Sequence, residues 1–150
     1  MNKEQLKKKF KLVQIIWTAM IVSLAIYAVI GSIAGDLIKK NAEIPLDMFK
    51  NVFYIISIVE LGAAYYIRKL IIKPGLKITQ DTAVQKYFIV SLITFALSES
   101  IGLYGLVLYF LGSEIFDMYI FMIISVAALF FFQPSFDDME DYVMSSGRLS

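Results

Sequence analysis

The chain has 150 residues and a net charge of +1; 59% of its residues are hydrophobic, 18% are charged, and its mean hydropathy is +0.71. Average soluble chains are about 45–50% apolar, so this composition excludes an ordinary soluble enzyme. Cysteine and histidine are both absent, which removes disulfides, thiolate nucleophiles, imidazole bases and metal sites built from sulfur or imidazole. There is no glycine-rich phosphate loop, and no basic surface laced with aromatics that would point to nucleic acid.

Four long apolar segments predict an all-α, polytopic bundle of four transmembrane helices in a single membrane domain. The first span covers about residues 12–35, between Lys11 and Asp36. About 20 helical residues cross the hydrocarbon, so it is long enough. A signal peptide is the rival reading, with "KKKFK" as its basic region and Ser32-Ile33-Ala34 before Gly35 as its cleavage site. Signal cores are about 7–15 residues, and the apolar run from Leu12 to Gly31 exceeds that, so an uncleaved anchor is expected. The second span, about 52–72, runs past Arg68 and Lys69, which snorkel toward the interface. The third span is about 87–112 and the fourth about 116–133, the shortest of the four. Residues 134–150 read as a short, solvated acidic tail carrying Asp137, Asp138, Glu140 and Asp141.

Ten of the fourteen cations flank the N-terminus or the loop between spans two and three. The loop between spans one and two balances Lys39, Lys40 and Lys50 with Asp36, Glu43 and Asp47, and the third loop holds only Glu114 and Asp117. The bias predicts an N-in/C-in orientation, in the cell's inner (cytoplasmic) membrane.

Two carboxylates interrupt the apolar runs: Glu60 in "IISIVELGAAYYI" and Glu99 in "SLITFALSESIGLYGLVLYFLG". At 1.5 Å per residue they lie roughly 12 and 18 Å deep, within about one turn of each other in height. An ionised carboxylate at such depth is costly, and ionisable groups within spans mark ion pathways. The alternative is polar glue between helices. On a helical wheel Ser91, Thr94, Ser98, Gly102 and Gly105 form one small-residue face with Glu99 at its edge. Gly62, Ala63 and Ala64 of span two are the expected partners for a close contact there. The expected pocket adds the hydroxyls of Ser98 and Thr94 to Glu99, and its occupant is a proton or a dehydrated sodium ion. Trp17 lies too deep for an interfacial belt and is expected to pack.

"ESIGLYGLVL", residues 99–108, resembles the carboxylate-bearing helix of the proteolipid (c-type) subunits of rotary ATPases. "LGAAYYIRK", residues 61–69, is similar to the end of the helix that precedes it in such hairpins. The resemblance covers about residues 60–111 and implies Glu99 as the ion carrier, with Gly102, Tyr104 and Gly105 in its pocket. It implies a non-enzymatic, oligomeric subunit of an ion-translocating assembly. Here the carboxylate helix is the third of four, whereas four-span proteolipids carry it on the last. Two other expectations stand beside this one: an accessory subunit of a larger membrane complex, and a small stand-alone transporter using both glutamates. No catalytic residue, metal-ligand set, organic cofactor or nucleic-acid partner is expected; the partners are the bilayer and other membrane subunits.

Overall fold

The computed structural model describes residues 3–34, 45–72 and 78–147. Asp36, Lys39, Lys40 and Glu43 of the first loop lie outside the described residues, as do Gly35 and two of the cations counted in the second loop, Lys73 and Lys77. Within them the chain is all-helical, with α1 Lys3–Ala34, α2 Leu46–Ile71, α3 Gln80–Phe110, α4 Ile115–Phe131 and α5 Phe136–Gly147. Helices α1, α2 and α3 are each long and apolar enough to cross a membrane. Helix α4 has 17 residues and qualifies only jointly with α5, from which it is bent by 48°. At about 25 Å it falls short of the roughly 30 Å hydrocarbon thickness.

Helix α3 is the axis of the bundle and packs against all four others. Thr79 caps its start, its hydroxyl accepting from the Thr82 amide at 3.3 Å, and Asp81 places negative charge in the first turn. Its end is fixed by Gly112, whose φ of 109° lies in the left-handed region. The Gly112 amide donates to the Tyr109 carbonyl at 3.0 Å and the Ser113 amide to the Leu108 carbonyl at 3.0 Å. This pair of bonds is a Schellman ending, which satisfies orphan carbonyls and reverses the chain. Helix α4 therefore returns antiparallel directly against α3.

The small-residue face of α3 meets α4, not α2. Ser91, Thr94, Ser98, Gly102 and Gly105 are all buried, and the Ser125 hydroxyl of α4 donates to the Ser98 carbonyl at 2.6 Å. A Cβ on Gly105 would lie 2.6 Å from Cβ of Phe121 and 2.9 Å from the Met118 carbonyl oxygen. A Cβ on Gly102 would run into Leu24 of α1. Gly62 is exposed with open space around it, Ala63 is half-buried, and Ala64 alone of that trio is fully covered. The expected α2–α3 small-residue contact is thus replaced by α3–α4.

The acidic tail is also corrected. Residues Phe136–Gly147 form a helix whose Met139, Tyr142 and Val143 pack against Leu6 of α1 and Ala83, Val84 and Tyr87 of α3. Lys3 pairs with Glu140 at 2.8 Å across this contact. The N-terminal ends of α1 and α3 and the whole of α5 consequently sit at one end of the bundle. At the opposite end Lys50 pairs with Asp117 at 2.5 Å, and the buried Asp117 also accepts from Ser113. Trp17 packs as expected: its indole N–H donates to the Leu129 carbonyl at 2.8 Å and its ring meets Phe130 edge-on.

Candidate functional site: two hydroxyl-bound carboxyls beside helix α3

Glu99 and Glu60 are both half-buried and sit on different flanks of α3. Toward α1, Glu99 Oε1 accepts from the Ser23 hydroxyl and from the Tyr27 hydroxyl at 3.2 Å. Toward α2, Glu60 Oε2 accepts from Ser100 at 2.9 Å and Oε1 from Tyr104 at 2.6 Å. The Tyr104 ring stacks on Phe53 with centroids 5.0 Å apart, which holds its hydroxyl at that carboxyl.

The two sites are chemically alike: one carboxyl, one serine, one tyrosine. In both, the serine oxygen also lies against a carbonyl of its own helix. Ser23 Oγ is 2.7 Å from the Met20 carbonyl oxygen and Ser100 Oγ is 2.8 Å from that of Leu97. Each serine hydroxyl thus lies between a carboxyl oxygen and a backbone carbonyl of its own helix, and its single proton is shared between them.

Sequence reasoning places Ser98, Thr94 and Tyr104 with Glu99, and the structure brings none of them to it. Ser98 donates to the Thr94 carbonyl at 2.8 Å, and Thr94 donates to the carbonyls of Val90 and Ser91, so both hydroxyls are satisfied within α3. Tyr104 serves Glu60. Gly102 and Gly105 pack α3 against α1 and α4 and contribute no group to either carboxyl. The residues missed are Ser23, Tyr27 and Ser100. Their signal was present: Ser23 and Tyr27 are four apart on α1, at a depth close to that of Glu99. Among the described residues no three acidic side chains converge as a metal site.

The chain matches no protein-family model, no curated protein and no solved structure. Among the described residues, fold and site together define an all-helical bundle with three or four helices long and apolar enough to cross a membrane. Beside its central helix lie two carboxyls at one height, each bound by a serine and a tyrosine.

Proposed function

We propose that this chain is a multi-pass protein of the cell's inner membrane, N-in/C-in, that binds a proton at Glu99 and takes part in ion translocation as a proteolipid-like subunit. The observation that supports the reading is a half-buried carboxyl inside an apolar helix, held by the Ser23 and Tyr27 hydroxyls of α1. Sodium is the rival ion, although Ser98 and Thr94, the oxygens expected for it, spend their hydroxyls inside α3. The reading rests on Glu99 alone rather than on a shared pair, because Glu60 has its own partners. An apolar carbodiimide tests it, since that reagent modifies protonated carboxyls reached from the lipid. Labelling should map to Glu99, decline as pH rises and be indifferent to sodium, and Glu99→Gln should abolish coupled ion movement in a folded protein. Sodium protection of Glu99 would reassign the ion.

A specific observation also favours an accessory, non-transporting role. Each carboxyl bridges α3 to a different helix, as polar glue does. Under that reading Glu99→Gln costs stability and leaves every flux unchanged.

A further inference from the structure

A groove of about 720 Å³ opens where α2 ends, between its last turns, the α4–α5 bend and α5. It is distinct from both carboxyl sites and lies at the bundle end that carries the N-termini of α1 and α3. Its lining divides into three parts. Tyr65, Phe131 and Phe132 are aromatic, Arg68 and Lys69 bring two positive charges from α2, and Asp138 and Asp141 bring two negative charges from α5. Charges of both signs thus face one cavity from different helices, beside aromatic surface suited to a bilayer boundary.

The cations are positioned but not consumed. Arg68 Nη1 donates to the Phe132 carbonyl at 3.0 Å, which orients the guanidinium. Its Nη2 stands 4.0 Å from the Asp138 carboxylate, at the outer limit of an ion pair. Lys69 Nζ lies 6.0 Å over the Tyr65 ring, and Asp141 is exposed. We propose that this groove binds the zwitterionic headgroup of an aminophospholipid. The phosphate sits on Arg68 and Lys69, the primary ammonium on Asp138 and Asp141, and the acyl chains run along Phe131 and Tyr65. Basic pockets between transmembrane helices hold lipid phosphates in this way. The acids supply the selectivity. A wholly anionic headgroup meets Asp138 and Asp141 unfavourably, while a choline headgroup brings its charge without N–H donors. An ethanolamine offers three donors to two carboxylates, as charge-assisted bonds.

The full-length protein in detergent is titrated with phosphatidylethanolamine, phosphatidylcholine, phosphatidylglycerol and inorganic phosphate, with bound ligand read by native mass spectrometry. Ethanolamine lipid should bind about tenfold tighter than choline lipid, the ratio one charge-assisted hydrogen bond supports. Asp141→Asn should bring ethanolamine lipid down to the choline value and leave choline lipid unchanged. Arg68→Gln should weaken all three lipids. Since it also removes the bond to Phe132, Lys69→Gln serves as the second variant, with the same expected direction. Equal binding of ethanolamine and choline lipids overturns the proposal, as does unchanged selectivity in Asp141→Asn. Tightest binding of the glycerol lipid makes the groove an anionic-lipid site. Competition by inorganic phosphate alone at similar concentration makes it a free-phosphate site. Either result also overturns the proposal.

Discussion

Glu99 and Ser100 are neighbours in the chain, yet one hydrogen-bonds to α1 and the other to α2. The 100° step between consecutive helical residues turns one point on α3 into two anchors. Glu99 accepts from the hydroxyls of Ser23 and Tyr27, while Ser100 and Tyr104 donate theirs to Glu60. Helix α3 is therefore tied to both flanking helices at one height by bonds that share no atom.

Independence of the two sites follows. Tyr27→Phe and Tyr104→Phe each remove one hydrogen bond, worth about 0.6 kcal/mol on average within membranes. Measured by unfolding in mixed micelles, the double variant should equal the sum of the singles within about 0.5 kcal/mol. Carbodiimide modification of Glu99 should change rate in Tyr27→Phe and stay constant in Tyr104→Phe and Glu60→Gln. A change in Glu99 reactivity on Glu60→Gln would show that the carboxyls act as one site.

Two glycines should respond oppositely to alanine. Gly105→Ala forces a methyl against the Met118 carbonyl, a backbone atom that cannot swing away. The strain should cost about 1–3 kcal/mol. Gly62 has open space around it in the middle of α2, so Gly62→Ala should gain about 0.5–1 kcal/mol from helix propensity alone. Thermal unfolding in detergent ranks both against the parent chain, and a large loss at Gly62 would mean that something packs there.

The presence of α1, α2 and α3 was legible because each carries enough apolar surface to dominate its own sequence window; their polar first turns were not, and the helices begin at Lys3, Leu46 and Gln80, ahead of the apolar runs. Trp17 was legible too, since an indole that deep must find an acceptor. Helix α5 was not. Its apolar residues Phe136, Met139, Tyr142 and Val143 keep a helical spacing, but Asp137, Asp138, Glu140 and Asp141 between them give the average of a solvated tail. The small-residue face of α3 was legible as a face, and its partner was not. Periodicity shows which residues line up but not which helix meets them, and the tight Gly112 ending delivers α4 to that surface first. The same limit hid Ser23 and Tyr27. Their pairing with Glu99 depends on the rotation of α1 about its axis, which the packing of Val13 and Leu24 decides.

Lys50 and Asp117 should act as a clamp at the end of the bundle opposite α5. Asp117 is buried, and its carboxylate, accepting from Lys50, holds the Lys50 ammonium above the ordinary lysine value. Lys50→Met strands that carboxylate and should cost about 1–3 kcal/mol at neutral pH. A lysine whose folded value is raised contributes stability that is complete below its unfolded value of 10.5 and is lost as pH rises through the folded one. The gap between parent and Lys50→Met should accordingly hold from neutral pH to about 10 and close above it. A gap that is constant into strong alkali would assign the loss to packing of the lysine stem.

Sidedness is the broadest prediction, and the absence of cysteine makes it clean to measure. Leu6, Tyr87 and Met139 share one cluster, so the start of α1, the start of α3 and all of α5 must lie on the same side. Under the proposed orientation that end, with Lys3, Lys7, Lys8, Lys9 and Lys86, faces the cytoplasm, as the positive-inside bias predicts. Single-cysteine variants Glu4→Cys and Ser145→Cys should react with an impermeant maleimide only after the membrane is opened. Met48→Cys and Glu114→Cys should react in intact cells. Helix α4 is the sensitive element, because its 17 residues cross only if the bilayer thins locally or the 48° bend sits in the interface. If Ser145→Cys and Glu114→Cys label from the same side, α4 lies in or re-enters the membrane. The cluster that joins α5 to Leu6 and Tyr87 would then have to break to reach the opposite face.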